Sequence, residues 1–237
     1  MDELSLNYHI DQWTSPKEST KKFVEFIASL VKPNSLILDL GCGAGAATAY
    51  IANAFPTTKF IGLEINQDLV KIADTNLKRS QIGNLSFICK NILRLPAIKN
   101  VSGVTSLHVL LDLPDAELHI KQIAKKLNPD FIALSSLFYD GEISVLARVH
   151  QHLRKSGNYN TISLNEFRRI ALKYGYDLRS VEDFIMPFPI AKPSSPDFMS
   201  TYTANLLLDD GTQRQVQISG PLIMDWKMVL LVRSDSK

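Results

Sequence analysis

The sequence predicts a doubly wound α/β fold, a mostly parallel sheet that ends in antiparallel C-terminal strands. Three observations predict it. Short apolar runs alternate with helical patterns from the N-terminus to about the middle of the chain, the order expected of a parallel sheet covered on both faces. A glycine-rich turn, Gly41-Cys42-Gly43-Ala44-Gly45, joins the first of these runs to a helix. In the last third strand-like segments dominate, two of them joined by Asp209-Asp210-Gly211-Thr212, a strong hairpin signal.

The elements follow in order. Over 17–31, Phe23, Phe26, Ile27, Leu30 and Val31 share one helical face, and Pro33-Asn34 ends the helix. Residues 36–40 form an apolar run of the kind buried on both faces of a sheet. A helix is predicted over 46–55, a strand over 60–63, a helix over 68–79 and strands over 85–89 and 101–107. A helix over 116–127 leads through Asn128-Pro129-Asp130 to a fifth strand over 131–134. Helical patterns cover 142–154 and 164–174, and strands 177–185, 201–208, 213–219 and 226–233. The proline-rich stretch 187–196 reads as a loop, and no internal repeat is visible.

The 237 residues, 45% of them hydrophobic, suffice for one good core. Charge points away from nucleic acid: 26 Lys and Arg against 24 Asp and Glu leave a net of +2, without the clustered basic stripe such binders show. Lys17, Lys21 and Lys22, like Lys121, Lys125 and Lys126, stand at helical spacing and read as solvated faces. The two cysteines, Cys42 and Cys89, read as reduced thiols of a cytoplasmic protein. Met1-Asp2-Glu3-Leu4 lacks the order of a signal peptide, and no stretch approaches a membrane span. The expectation is a cytoplasmic monomer or homodimer.

The chemistry concentrates at the glycine turn. Glycines there allow a tight turn and a ligand's close approach to the backbone, and ligands of parallel α/β sheets bind beyond the carboxyl ends of the strands. Gly41-Cys42-Gly43-Ala44-Gly45-Ala46 also fits G-x-G-x-x-A, a dinucleotide pattern. Asp39, two residues before the first glycine, is a poor neighbour for pyrophosphate and a good one for a cationic sulfonium. Glu64 ends the second strand, where a carboxylate accepts ribose hydroxyls from either ligand class. Asn91, after the third strand, offers an amide to an adenine edge or forms a turn.

Leu38-Asp39-Leu40-Gly41-Cys42-Gly43-Ala44-Gly45 resembles the glycine motif of the class I S-adenosylmethionine-dependent methyltransferases, and Ile61-Gly62-Leu63-Glu64-Ile65 their second motif. Cys89-Lys90-Asn91-Ile92 stands where that family often has an acidic residue, and Ser106-Leu107-His108-Val109-Leu110 with Leu113-Pro114-Asp115 is similar to the segment after its fourth strand. Lys126-Leu127-Asn128-Pro129-Asp130 resembles the family's turn without its double glycine. The resemblance covers about residues 35 to 137 and implies a Rossmann-like fold with S-adenosylmethionine as cofactor. It implies that Gly41 and Gly43 lie against the methionine part, Glu64 holds the ribose and Ile65 packs on adenine. Asn91 and Ile92 would frame the base, with Ser106 and His108 near the sulfonium. Cys42 and Gly45 complete the cofactor loop.

The expected division is then a single domain: 1–34 a helical cap or lid, 35–137 the cofactor-binding half, and 138–237 the acceptor side with the C-terminal strands. The expected function is methyl transfer to a small molecule. The alternatives are a nicotinamide-dependent oxidoreductase, a silent methyltransferase-like binding protein, and a protein or RNA methyltransferase.

Among the remaining candidates, His108 suits general-base work, with a hydrogen-bonded structural role as the plainer alternative. Cys42, between glycines, reads as chosen for small size. His119, His150 and His152 lack metal-ligand partners and read as surface or helix residues; no metal is expected. Tyr8, His9 and Trp13 form a lid over the cofactor or a patch packed on Phe23 or Phe26. Tyr139, leaving the fifth strand, and Tyr159 are placed to line an acceptor pocket, Tyr139 also as a catalytic candidate.

Overall fold

The structure is a computed structural model that describes residues 11–150, 157–194 and 201–234. Helix α1 (Glu18–Ile27) leads into β1 (Leu36–Leu40), α2 (Ala46–Ala54), β2 (Lys59–Glu64), α3 (Gln67–Arg79) and β3 (Leu85–Cys89), which passes to β4 (Gly103–Leu107) without an α-helix, and then α4 (Ala116–Lys126) and β5 (Phe131–Tyr139). Then follow α5 (Leu164–Lys173), β6 (Tyr176–Asp183), β7 (Thr201–Leu207), β8 (Gln213–Ser219), β9 (Leu222–Met224) and β10 (Trp226–Arg233). The main sheet has the order β3-β2-β1-β4-β5-β10-β6, with a short parallel piece, Ile162–Ser163, beside the end of β5. The pairs β1–β2, β2–β3, β1–β4 and β4–β5 are parallel, and β10 is antiparallel to both its neighbours. Doubly wound order with antiparallel C-terminal strands is thus what the strand alternation predicts.

Alternation across the strands builds two cores. Ile37, Phe131 and Ala133 face α1, α2 and α3 with Phe23, Ile27 and Ile51. Leu38, Leu40, Ile132 and Leu134 face α4 and α5 with Ile120, Ile123 and Phe167. Both layers are needed, because a parallel sheet buries both faces. The helices start where their capping residues stand: Asn66 accepts from the Asp68 amide, Asp115 from the Leu118 amide and Ser163 from the Glu166 amide.

Four expectations change. The described part of 142–154 is not a helix. Val145 bridges Thr161, and Arg148–Val149 pairs antiparallel with Gly157–Asn158. Ile143, Val145, Ala147 and Val149 alternate with period two, the strand signature that competed with the helical spacing. The fifth strand reaches Tyr139 rather than 134, because Ser135 and Ser136, which interrupt the apolar run, are buried in it. β7, β8 and β9 form a separate three-stranded antiparallel sheet with β8 in the middle, rather than extending the main one. His119, expected on a helix or the surface, is on α4 but fully buried.

Neither His119 ring nitrogen has a hydrogen-bond partner among the described residues, and burial lowers its pKa from 6.5 to about 4. The unfolded chain therefore binds this proton more tightly between those two values, and the contribution to stability is present above pH 6.5 and lost as pH falls toward 4. His119→Leu is expected to stabilise the fold more at pH 5 than at pH 8 in urea unfolding. An equal effect at both pH values would place the ring in a solvated or paired environment instead.

Candidate functional site

The candidate site lies where β1 ends. Gly41 and Cys42 donate their amides to the Leu63 carbonyl at 2.7 and 3.1 Å, which clamps the turn to the end of β2. Gly41, Gly43 and Gly45 have φ of +80°, +56° and +83°, the left-handed region that disfavours a Cβ. At two of them space is also closed. A Cβ on Gly41 would come within 2.5 Å of Val109, and one on Gly45 within 2.5 Å of the Phe87 ring. A Cβ on Gly43 would meet nothing within 4 Å among the described residues. The turn is therefore packed from below at Gly41 and Gly45 and open at Gly43.

Asp39 sits beneath this turn, 3% exposed. Its carboxylate accepts from Thr48 Oγ1 on α2 at 2.5 Å and from Thr105 Oγ1 on β4 at 2.9 Å. Burial raises its pKa to about 6, against the lowering effect of both hydroxyls. Asp39 lines the cavity above the turn, yet both its oxygens are engaged by threonines. Cys42 is likewise pushed up, first by burial and then by the Asp39 and Glu64 charges, so its thiol stays protonated.

Glu64 faces the open side. Its Oε2 accepts from the Gly43 amide at 3.1 Å and its Oε1 from the Asn66 amide at 2.9 Å. Each oxygen retains lone-pair capacity for further donors. Beside it Ile65 is 64% exposed, an apolar side chain open to solvent. Asn91 caps a short 3-10 turn, Ile92–Arg94, through Oδ1 on the Leu93 amide, and Ile92 is buried. The Asn91 oxygen is thus committed locally.

The cavity at the turn has a volume of about 150 Å³, and its wall includes Gln12, Lys17, Thr20, Gly43 and His108. Trp13 Nε1 donates to the Ala44 carbonyl at 2.9 Å, so the residue touches the turn itself as well as packing on the core that holds Phe23. Tyr8, His9 and His152 lie outside the described residues. The Ser106 hydroxyl is buried and donates to the Leu40 carbonyl at 3.0 Å, so it ties β4 to β1 instead of reaching into the cavity. Among the described residues no cluster of metal-ligating side chains occurs.

His108 combines a left-handed φ of +58° with an amide bond to the Ser135 carbonyl at 2.7 Å, and its ring lies 4.4 Å from that of Trp226. Burial, with the Lys17 charge adding to it, lowers its pKa to about 3. The imidazole is neutral at physiological pH and a weak base, which favours a positioning role over proton abstraction.

Over residues 31–182 the chain matches the family described as a methyltransferase domain, more than half its length. The chain belongs to the class I S-adenosylmethionine-dependent methyltransferase family. An uncharacterized methyltransferase of Schizosaccharomyces pombe is 30% identical over 123 residues, which are 48% of this chain and 43% of that protein. The chain thus spans less than half the length of that curated relative. Two solved structures share the fold. Magnesium protoporphyrin IX methyltransferase of Synechocystis PCC 6803, with bound SAM, has a TM-score of 0.59 and 16% identity, covering 92% of this chain and 79% of that one. The 1,6-didemethyltoxoflavin-N1-methyltransferase of Burkholderia thailandensis, with bound 1,6-didemethyltoxoflavin and S-adenosylhomocysteine, has a TM-score of 0.63 and 15% identity, covering 98% and 86%.

In this chain the turn, Asp39 and His108 line one cavity, Glu64 is held to the turn through the Gly43 amide, Ile65 follows Glu64 outside that wall, and Ser106 ties β4 to β1. Sequence reasoning missed Lys17, Thr20 and Gln12 on the cavity wall. Lys17, expected on a solvated helix face, is at the start of α1 and only half-buried, unlike the exposed Lys21 and Lys22; its position just after Pro16 was the available signal. Nothing local marked Trp226, which reaches His108 through strand pairing.

Gly45→Ala is expected to destabilise the fold by about 2–5 kcal/mol, from left-handed strain plus overpacking against Phe87. Gly43→Ala is expected to cost only about 1–2 kcal/mol, from strain alone. Urea unfolding of the two variants measures the difference, and equal losses would contradict this account of the turn.

Proposed function

We propose that this chain binds S-adenosylmethionine across the glycine turn and transfers its methyl group to an uncharged small molecule held beyond the ends of β4 and β5. The observation that carries this reading is the opening at Gly43. Among the described residues it is the one glycine of the turn with free space above it, and the Glu64 carboxylate accepts from its amide. The residues fit the cofactor. A cavity of about 150 Å³ with Lys17, Gln12 and Thr20 in its wall suits an amino-acid end. Glu64 would accept the ribose hydroxyls and Ile65 would offer its exposed apolar side chain to the base.

When bound, the cofactor supplies a methyl carbon activated by a sulfonium leaving group. What the chain contributes is orientation. The Asp39 charge beneath the turn and the Glu64 charge above favour a cation there. Neutral His108 borders the cavity without competing as a second cation. Tyr139, at the end of β5 and half exposed, positions the acceptor. Gln12 and Trp13 belong to an N-terminal segment that covers the cofactor as a lid, a reading supported by the bond from Trp13 to Ala44.

Several further readings go with this one. The chain works as a single domain, with 1–34 as cap, 35–137 as cofactor half and 138–237 as acceptor side. A small-molecule acceptor rather than nucleic acid is supported by the net charge of +2 without a basic stripe. Cytoplasmic location is supported by free Cys42 and Cys89; no helix among the described residues is long and apolar enough to cross a membrane. A monomer or homodimer is the proposed state.

Glu64→Ala is expected to weaken S-adenosylhomocysteine binding by about 2–3 kcal/mol in calorimetric titration, since a charged acceptor loses two hydroxyl donors. Unfolding by urea checks that the variant is folded. Unchanged affinity in a folded variant would remove Glu64, and with it the proposed placement, from the site.

A further inference from the structure

A second cavity, of about 250 Å³, opens beside the carboxyl end of β5 between Leu137, Tyr139, Ile143, Val145, Tyr159 and Ile223. Among the described residues its lining has no charged side chain. A charged ligand would lose hydration there with no counter-charge in return, so a neutral one is favoured. The nearby carboxylates Asp140 and Asp225 are turned to the buried Lys227 ammonium, at 3.3 and 3.5 Å. Lys227 projects from the opposite face of β10 to Trp226, since strand side chains alternate.

The wall is apolar and wet. Ile143, Val145 and Ile223 are 64%, 50% and 57% exposed. Isolated apolar side chains on a surface are ordinary, but here they converge with Tyr139 on one concavity. Covering them removes apolar area from water, which stabilises whatever covers them. An apolar cavity of about 150 Å³ takes a single benzene ring, so the larger volume here accommodates two fused rings.

Strand register ties this cavity to the glycine turn. Leu137 stands opposite Trp226 in the β5–β10 pairing. The Trp226 ring is 4.4 Å from that of His108, which lines the first cavity. Tyr139, one wall of the second cavity, is backed by Gly141. A Cβ there would come within 2.5 Å of the Tyr139 ring, so the ring rests against the Gly141 backbone.

We propose that this second cavity is the acceptor site and that it selects a neutral, two-ring aromatic molecule, with Gly141 holding Tyr139 as a specificity-determining wall. The proposal rests on the methyl-transfer reading above, and its test separates the two. The full chain is titrated calorimetrically with 2-naphthol, with and without saturating S-adenosylhomocysteine, and with 2-naphthyl phosphate. The expected results are that 2-naphthol binds in both conditions and that the charged phosphate binds about tenfold more weakly or worse. Val145→Arg and Ile223→Arg, both at exposed positions, are each expected to weaken 2-naphthol about tenfold while leaving S-adenosylhomocysteine affinity within about twofold. Gly141→Ala, which displaces the Tyr139 ring, is expected to weaken 2-naphthol about threefold or more.

Absence of 2-naphthol binding, equal or tighter binding of the phosphate, indifference to both arginine variants, or displacement of 2-naphthol by S-adenosylhomocysteine would each overturn the proposal. Failure of S-adenosylhomocysteine to bind while 2-naphthol still responds to Val145→Arg would instead overturn the cofactor reading and leave an apolar binding site.

Discussion

The buried carboxylate of Asp39 is the point on which the site is built. It lies on β1 between Gly62 of β2 and Thr105 of β4, and Thr48 reaches down to it from α2. Three elements are thereby joined directly below the glycine turn. The arrangement is not there for stability at neutral pH. Burial raises the Asp39 pKa to about 6, so the folded state holds this proton more tightly than the unfolded chain does. That stabilising contribution is full below the ordinary carboxylate range and is lost as pH rises through about 6. At pH 7 the charge is retained at a cost, which is intelligible if a cation is to be held above it. The Phe87 ring completes the support by filling the space left by the missing side chains of Gly45 and Gly62.

From this base two cavities of opposite character diverge. The one above the turn has an ammonium, a carboxylate and an imidazole in or near its wall. The one beyond β5 is bounded by aliphatic and aromatic side chains. They approach each other where Trp226 meets His108. Placing His108 there requires a left-handed backbone, fixed by its bond to Ser135, and conformations of this kind cluster at functional sites. Since methyl transfer gets its leaving group from the cofactor, a chain that supplies two matched cavities and no strong base is chemically sufficient.

How far the sequence revealed this depended on the range of the interaction. β1 to β4 and the helices between them were legible because strands buried on both faces are apolar runs, and because the glycines that shape the turn lie within five consecutive residues. The place of Glu64 at the end of β2, with Ile65 directly after it, was legible because an apolar run leads up to it. The arm at 143–149 was misread because its Ile, Val and Ala residues satisfy helical spacing locally while their period-two pairing is with residues 157–161. The extent of β5 was hidden by Ser135 and Ser136, polar residues that are nonetheless buried. Ser106 and Asp39 were located correctly in the chain, but their bonds to Leu40, Thr48 and Thr105 depend on which strands lie side by side. Trp226 was invisible as a site neighbour for the same reason, because its contact with His108 exists only after β10 inserts antiparallel next to β5.

The central claim is that the opening at Gly43 is shaped for S-adenosylmethionine and not for a dinucleotide, although the turn also matches the dinucleotide pattern. Calorimetric titration of the purified chain with S-adenosylhomocysteine and with NAD, under the same conditions, tests it most directly. The account predicts saturable micromolar binding of S-adenosylhomocysteine and no heat of binding from NAD. Saturable binding of NAD with none of S-adenosylhomocysteine would contradict it.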